Sequence, residues 1–223
     1  MMTTETNKII YDGQWVKRGL LYVVSAPSGA GKTSLCKEVV KYIPNLQHSI
    51  SYTTRSARPT ETDGQDYHFV SADVFKRMIA EKDFIEWAIV HGNYYGTSKT
   101  DLNESLNNGV DIILDIDSQG ATQIKKRFSN GVFIYILPPS FEELRQRLTI
   151  RKGDSPDEIS RRLDMANEEA KDYNMYEYLI INDDFEIALE RLKAIIIASR
   201  IKIERINPEW VETNFLTKKG GLT

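Results

Sequence analysis

Small residues followed by a lysine and a threonine form a segment whose chemistry suits phosphate groups. Residues 26–33 are Ala-Pro-Ser-Gly-Ala-Gly-Lys-Thr, which nearly matches the pattern G-x-x-x-x-G-K-[ST] of phosphate-binding (Walker A) loops. Backbone N–H groups at a helix N-terminus hold phosphates, and the helix dipole favours their negative charge. Lys32 would reach the β- and γ-phosphates, and the Thr33 hydroxyl would ligate Mg²⁺. The pattern predicts a nucleotide-binding loop formed by Ala26, Pro27, Ser28, Gly29, Ala30, Gly31, Lys32, Thr33 and Ser34.

One position departs from this pattern, because Ala26 stands where the pattern has its first glycine. Either the backbone at Ala26 avoids positive φ or the loop is strained. The plain alternative is a turn of glycine and serine followed by a solvated Lys32. The flanking elements favour a phosphate loop, since residues 20–24 are an apolar run typical of a buried strand and apolar residues recur at helical spacing over 32–43.

A second cluster of donors lies at residues 51–58, Ser-Tyr-Thr-Thr-Arg-Ser-Ala-Arg. The guanidinium groups of Arg55 and Arg58, with the neighbouring hydroxyls, suit the binding of a phosphate monoester. The turns that follow present Tyr67 and Tyr95, whose phenols add neutral donors. Taken alone, arginines on a surface hairpin are explained as readily by solvation.

Glu86 lies in an otherwise apolar strand, Phe-Ile-Glu-Trp-Ala at 84–88. Burying an unpaired carboxylate is costly, so Glu86 either faces solvent on an edge strand or has a partner. Guanine presents adjacent donors at N1 and N2, from which one carboxylate can accept together, whereas adenine has no such pair. Thr97 and Ser51 would then donate to the guanine O6.

Two carboxylates, Asp115 and Asp117, end the buried strand predicted at 110–116. In a phosphate-loop fold an acid at this place holds Mg²⁺ or its water molecules. Ligands of open α/β sheets also bind at the carboxyl ends of strands. The sequence does not rank the two residues, and an ordinary exposed loop acid is the alternative.

The segment 140–165 is dense in arginine, and one to three of these side chains are expected to neutralise the transferring phosphoryl group. The others would lie on solvated helix faces. The candidates are Arg147, Arg151, Arg161 and Arg162. The histidines lack metal-ligand spacing, so the sequence predicts no structural zinc site.

Buried strands alternate with helices along most of the chain. Apolar runs predict strands at 20–24, 110–116, 132–137 and 178–181, and a long amphipathic helix over 185–205. This alternation predicts an α/β fold with a mostly parallel sheet covered on both faces.

Residues 51–97 interrupt the alternation and are predicted to form a small insertion. Within it we expect a helix capped by Ser71, a strand at 84–90 and a turn at 91–96. The preceding stretch, 49–70, has the alternating and β-branched residues of short antiparallel strands.

Bulk properties exclude several classes of protein. The chain has 223 residues, one cysteine and a formal net charge of −3, whereas a duplex nucleic-acid binder normally has a basic excess. One cysteine allows no internal disulfide and suits a reducing cytosol. No apolar run reaches the length of a membrane span, and residues 1–8 lack the apolar stretch of a signal peptide. We therefore expect a cytoplasmic protein that binds neither nucleic acid nor membranes.

The motifs occur in the order found in guanylate kinases, and over residues 18–205 the chain resembles that family. They are the phosphate loop, Ser-Tyr-Thr-Thr-Arg-Ser-Ala-Arg (51–58), Gly-Gln-Asp-Tyr (64–67), Phe-Ile-Glu-Trp (84–87), Asn-Tyr-Tyr-Gly-Thr (93–97), Leu-Asp-Ile-Asp (114–117) and Ile-Asn-Asp-Asp (181–184). The resemblance implies a P-loop NTPase-like three-layer α/β fold with a mostly parallel central sheet, a small α+β GMP-binding insertion at about 51–97 and a helical lid at about 141–165. An N-terminal leader, 1–17, and a C-terminal tail, 206–223, fall outside it.

The same resemblance implies which side chains contact the substrates. The GMP site would be lined by Ser51, Arg55, Arg58, Glu61, Tyr67, Glu86, Tyr95, Thr97 and Asp117. The ATP phosphates would be approached by Arg151 and Arg162, and Asn182 would border the adenine. The residues implied to hold Mg²⁺, directly or through water, are Thr33, Asp115 and Asp117. Those implied to be catalytic are Lys32, Arg55, Asp117, Arg151 and Arg162.

The activity implied is transfer of the γ-phosphoryl group of MgATP to GMP, which gives ADP and GDP. A catalytically inactive guanylate-kinase-like module that binds proteins is one alternative, disfavoured by the presence of Gly29, Gly31, Lys32 and Thr33. A kinase for another nucleoside monophosphate is the other, and Glu86 with Thr97 argues against it. A homo-oligomer is compatible with the sequence.

Overall fold

The computed structural model describes residues 18–90, 92–128, 130–150 and 156–216. In chain order its strands are β1 (Leu21–Ser25), β2 (Leu46–His48), β3 (Tyr52–Thr53), β4 (His68–Phe69), β5 (Phe84–Val90), β6 (Asn93–Ser98), β7 (Asp111–Asp115), β8 (Val132–Leu137) and β9 (Tyr178–Ile181). Its α-helices are α1 (Lys32–Tyr42), α2 (Ala72–Ala80), α3 (Lys99–Asn107), α4 (Ser118–Arg127), α5 (Phe141–Ile150), α6 (Pro156–Ala170), α7 (Phe185–Arg200) and α8 (Pro208–Val211).

A five-stranded parallel sheet, in the order β2-β7-β1-β8-β9, forms the centre of the molecule. Successive side chains of a strand point to opposite faces, so β1 serves two cores. Tyr22 and Val24 belong to a core completed by α1 and α7. Leu21 and Val23 belong to a second core with α3 and α4. The predicted three-layer arrangement of a parallel sheet between helices is confirmed.

A four-stranded sheet in the order β4-β3-β6-β5 forms the inserted unit together with α2. The prediction of antiparallel strands at 49–70 is wrong, because β3 and β4 pair in parallel. The long connection 54–67 brings the chain back to the end where β3 began, so both strands run in one direction. The turn expected at 91–96 is also too long, since β6 begins at Asn93 and pairs with β5 from there onward.

Two helices, α5 and α6, lie beyond the end of β8 and share a small apolar cluster of their own, formed by Leu144, Leu148, Leu163 and Ala166. The Ser140 hydroxyl accepts a hydrogen bond from the Glu143 N–H at 3.1 Å, which begins α5 as the sequence predicts. Arg151 lies outside the described residues, so its predicted role is not addressed by the geometry.

The long helix α7 ends at Arg200 rather than at residue 205. Arg200 and Asp111 are each 6% exposed and form an ion pair, with 2.7 Å between Arg200 Nε and Asp111 Oδ2. The other oxygen of Asp111 accepts from the Leu20 N–H at 2.6 Å. The C-terminal tail forms short helical turns as far as residue 216. Among the described residues, no helix has the length and apolar character that a membrane crossing requires.

Candidate active site

An open cavity of about 330 Å³ lies at the carboxyl ends of β1 and β7. The phosphate loop forms one wall and the inserted sheet forms the opposite wall. The predicted site residues that line it are Ala26, Pro27, Ser28, Gly29, Gly31, Lys32, Thr33, Ser34, Ser51, Tyr67, Glu86, Tyr95, Asp115 and Asp117. The cavity thus brings together residues that are far apart in the chain, from Ala26 to Glu169.

The phosphate loop takes its shape from two glycines with positive φ, Gly29 at 99° and Gly31 at 91°. Among the described residues other than glycine, positive φ occurs only at Asn45 and Lys82, so Ala26 has an ordinary backbone conformation. The backbone at Ala26 therefore avoids positive φ, and the loop is not strained at this position. Gly31 also precedes the first residue of α1, which directs the helix N-terminus at the cavity.

Asn182, predicted to border the adenine, lies behind the loop and does not line the cavity. Its side chain is buried, and its amide donates to the Ala30 carbonyl at 2.7 Å. The adenine contact stays a prediction, and the observed role of Asn182 is to hold the loop.

Lys32 and Asp115 form an ion pair at the base of the cavity, with 2.7 Å between Nζ and Oδ1. Lys32 also donates to the Ile116 carbonyl at 2.8 Å. Burial alone would raise the pKa of Asp115, but the Lys32 ammonium and the Thr33 hydroxyl hold that pKa below its ordinary value. Burial lowers the pKa of Lys32, and Asp115 more than compensates, so that pKa is raised. Both groups are therefore charged at neutral pH.

Hard oxygen donors for a Mg²⁺ ion are the Thr33 hydroxyl and the carboxylates of Asp115 and Asp117. Asp117 Oδ1 also caps α4 by accepting from the Gly120 N–H at 2.8 Å. Within the described part of the chain, no group of three or more His, Cys, Asp and Glu side chains could hold a metal ion. This donor set fits Mg²⁺, which is usually held by one or two carboxylates together with substrate phosphates and water.

Arg55 is fixed by three partners in the inserted unit. It donates from Nε to the Tyr95 hydroxyl at 3.2 Å, from Nη2 to Glu61 Oε1 at 2.8 Å and from Nη1 to the Ser56 carbonyl at 2.7 Å. Its guanidinium also lies 5.4 Å from the centre of the Tyr67 ring. Burial raises the pKa of Tyr67 to about 12, so the phenol remains a donor at neutral pH.

Arg58 has a looser environment than Arg55. Its backbone N–H donates to Glu61 Oε2 at 2.8 Å, and its guanidinium is 3.7 Å from Glu61 Oε1. The side chain is 67% exposed, and neither Arg58 nor Arg55 lines the cavity. Glu61 thus contacts both arginines and holds them near each other.

Glu86 is buried, with only 3% of its surface exposed, so the interpretation of a solvent-facing edge residue is wrong. Its Oε1 accepts a hydrogen bond from Thr97 Oγ1 at 2.5 Å. Burial raises the pKa of Glu86 to about 7, although Thr97 acts in the opposite direction. A strongly perturbed carboxyl group at a cavity wall is typical of a functional site.

The sequence reasoning did not single out Glu169, which lines the cavity. Burial raises its pKa, while a hydrogen bond from the Ser28 backbone N–H opposes the rise. No sequence pattern marks this residue, because it belongs to a polar stretch of α6. The same helix carries Arg162, whose Nη2 donates to Ser28 Oγ at 2.6 Å.

Among the arginines left open by the sequence, Arg147 lines the cavity. It donates to Glu143 at 2.8 Å and to the Asn182 carbonyl at 3.0 Å. Arg161 is exposed and is better explained as part of a solvated helix face.

Comparisons with known proteins cover most of the chain. The sequence model of one protein family, described as guanylate kinase, matches residues 18–199. Guanylate kinases of Geobacter metallireducens and Geobacter sulfurreducens are 53% and 55% identical to the chain over 190 residues, which cover 85% of this chain and 94% of each relative. The crystal structure of guanylate kinase from Anaplasma phagocytophilum is 33% identical and superimposes with a TM-score of 0.77, covering 90% of this chain and 97% of that one.

Proposed function

The chain belongs to the guanylate kinase family, and from this membership we propose how its residues perform phosphoryl transfer from ATP to GMP. The enzyme is an ATP:GMP phosphotransferase, and its reaction gives ADP and GDP. The assignment of residues rests on one observation: the phosphate loop faces Glu86, Tyr67 and Tyr95 across the same cavity. Transfer between two nucleotides bound on opposite walls needs no covalent enzyme intermediate.

On the ATP side, the backbone N–H groups of residues 28–33 bind phosphate oxygens at the N-terminus of α1. Lys32 is placed to leave Asp115 and contact the β- and γ-phosphates. Thr33, Asp115 and Asp117 would hold Mg²⁺, directly or through water, and the ion would neutralise charge on the phosphates when bound. Arg162, already at Ser28, and Arg151 are proposed to neutralise charge on the transferring group.

On the GMP side, the base and the phosphate are bound by different groups. Glu86 accepts from the guanine N1–H and N2–H, and Thr97 and Ser51 complete the contacts to the base. Arg55, Arg58, Tyr67 and Tyr95 bind the phosphate. Asp117 lies at the end of β7 between the two substrates.

We assign three parts to the chain on this basis. Residues 18–205 form the enzyme domain, in which 51–97 are the GMP-binding insertion and 141–165 the lid. Residues 1–17 and 206–223 are assigned to a leader and a tail. A cytoplasmic location is supported by the single cysteine, which suits a reducing compartment.

The test of this function is the initial rate of ADP formation from MgATP with GMP, AMP, CMP or UMP supplied in turn. We expect a rate well above the ATP background with GMP alone. A matching rate with AMP would leave the phosphate chemistry in place and contradict base recognition by Glu86. No rate above background in folded protein would favour the inactive protein-binding module.

Replacing Arg55 by lysine is expected to lower kcat/KM for GMP by about 10- to 100-fold. A lysine ammonium cannot reproduce the planar fork that contacts Tyr95, Glu61 and Ser56 together. The measurement is a GMP titration at saturating MgATP, with the ATP titration as internal reference. Arg77→Lys, at an exposed arginine of α2 in the same inserted unit, is the matched control and should leave kcat/KM for GMP unchanged. Equal effects of the two substitutions would contradict the role assigned to Arg55.

A further inference from the structure

Helix α4 lies along the outer strand of the inserted sheet. The strand order places β5 at the edge of that sheet, so one side of its backbone has no strand partner. Gln123 covers this side at Trp87, accepting from the Trp87 N–H at 3.3 Å and donating to its carbonyl at 2.7 Å. Arg127 donates to the Ile85 carbonyl in the same way. The helix therefore donates to or accepts from the backbone of β5 on both sides of Glu86.

Gly120 faces the same strand. Gly120, Gln123 and Arg127 are spaced i, i+3 and i+7, which places them on one face of α4. Between the strand residues bound by Gln123 and Arg127 lies Glu86, whose carboxylate approaches Gly120. A Cβ added at Gly120 would lie 2.6 Å from Glu86 Oε2 and 3.3 Å from Glu86 Cδ.

The carboxylate of Glu86 is restrained from moving away from such a Cβ by a hydrogen bond on its other side. Its other oxygen is held at 2.5 Å by Thr97 Oγ1, so the group is confined between β6 and α4. The remaining neighbour of Gly120, Ile116 Cδ1 at 3.3 Å, is the end of a flexible side chain and could shift. The position therefore requires glycine chiefly because of Glu86.

The same helix is anchored at its other end to the phosphoryl-transfer side of the cavity. Asp117 caps α4 through the Gly120 N–H at 2.8 Å and lines the cavity at the end of β7. Asp117, which the proposed function places between the two substrates, is thus only a few residues from Gly120, which contacts Glu86.

We propose that Gly120 is a positioning residue for base recognition: by having no side chain, it leaves the space in which the Glu86 carboxylate is held at a fixed place relative to Asp117. The proposal rests on the proposed function of Glu86 as the group that recognises guanine. It assigns to α4 the role of setting the distance between base recognition and phosphoryl transfer.

The first test is Gly120→Ala, measured by steady-state kinetics with GMP and with ATP varied separately. Displacing a charged acceptor from its two donors is expected to raise KM for GMP by about 10- to 100-fold, while KM for ATP changes less than about two-fold. Lys126→Ala, on the exposed side of the same helix, is the control and should leave both values unchanged. An unchanged KM for GMP would overturn the proposal, and so would an equal rise for both substrates.

The second test detects the contact without any nucleotide, through the melting temperature of four proteins: wild type, Gly120→Ala, Glu86→Ala and the double variant. Alanine is the better helix former, so Gly120→Ala should raise the melting temperature by about 2–4 °C when residue 86 is alanine. With Glu86 present the same substitution should give no gain or a loss. The same shift in both backgrounds would overturn the proposed contact.

The two tests separate this proposal from the function on which it rests. If Glu86→Gln bound GMP normally while the melting temperatures showed coupling, base recognition by Glu86 would fail although the contact exists. If Glu86→Gln weakened GMP while the melting temperatures showed no coupling, base recognition would stand and the role of Gly120 would be refuted.

Discussion

Lys32→Ala is expected to lower kcat by about 10³-fold or more and also to lower the stability of the fold. The loss of turnover follows because the substitution removes the only side-chain cation of the phosphate loop, and electrostatic stabilisation supplies most of the rate enhancement in phosphoryl transfer. The sequence alone predicts the kinetic loss with an unaffected fold. The Lys32–Asp115 ion pair changes that expectation, because Asp115 would remain at the base of the cavity, 9% exposed, without its partner.

Removing one partner of a buried ion pair typically costs about 3–5 kcal/mol of unfolding free energy. Chemical denaturation of Lys32→Ala should show a loss of that order, and Lys32→Ala/Asp115→Asn should regain part of it. The double variant should remain inactive, since neutralising Asp115 does not supply a cation to the phosphates. Near-normal turnover in the folded single variant would contradict the role of Lys32, and equal stability of single and double variants would contradict the cost assigned to Asp115.

Glu86→Gln is expected to weaken GMP binding by about 10- to 100-fold and to stabilise the protein at alkaline pH. The first effect follows because glutamine has an NH2 donor in place of one carboxylate oxygen of Glu86. This donor would face a guanine donor, and the hydrogen bond would be lost. ATP binding should change little, since Glu86 lies on the opposite wall from the phosphate loop. Isothermal titration with each nucleotide separately would measure both affinities, and an unchanged GMP affinity would remove Glu86 from base recognition.

The stability effect depends on pH in a defined direction. The pKa of Glu86 is raised from 4.5 to about 7, so the folded protein holds this proton more strongly than the unfolded chain. The contribution of Glu86 to the free energy of unfolding therefore falls by on the order of 3 kcal/mol as pH rises from about 4.5 to 7. It stays low above pH 7. Glu86→Gln should consequently melt several degrees higher than the wild type at pH 8 and at nearly the same temperature at pH 5. A difference independent of pH would contradict the raised pKa.

GMP binding to the wild type should strengthen over the same interval. Only the ionised carboxylate accepts from both guanine donors, so KM for GMP should fall as pH rises from 6 to 8, through the pKa near 7. Glu86→Gln should lack this change, which distinguishes titration of Glu86 from titration of the GMP phosphate.

The parts of the site that depend on contiguous residues could be predicted from the sequence. The phosphate loop is a single segment between a strand and a helix, so its pattern and context were sufficient. The contents of the opposite wall could be inferred from residue types, yet the burial of Glu86 could not. An isolated acid in an apolar strand is compatible with either face until the covering element, here α4, is known.

Contacts between distant segments account for what the sequence did not indicate. Glu169 reaches Ser28 from a polar stretch at the end of α6, and Gly120 is an unremarked helix residue until Glu86 is placed beside it. The predicted end of α7 is also wrong, because Ile201 and Ile203 continue the apolar periodicity past Arg200 although both are exposed in the structure. The direction of β4 depended on the path of a long loop, which local propensity does not specify.

The hydrogen bond from Asn182 to the Ala30 carbonyl has a thermodynamic consequence for nucleotide binding. Asn182 follows β9, which is the edge strand of the central sheet opposite β2. Its hydrogen bond connects the phosphate loop to this strand and holds the loop in shape before any ligand binds. The conformational entropy of ordering this loop is therefore lost during folding and not during association. Binding of ATP can then be rapid and dominated by enthalpy, while the entropic cost of closing the site falls on the insertion and the lid.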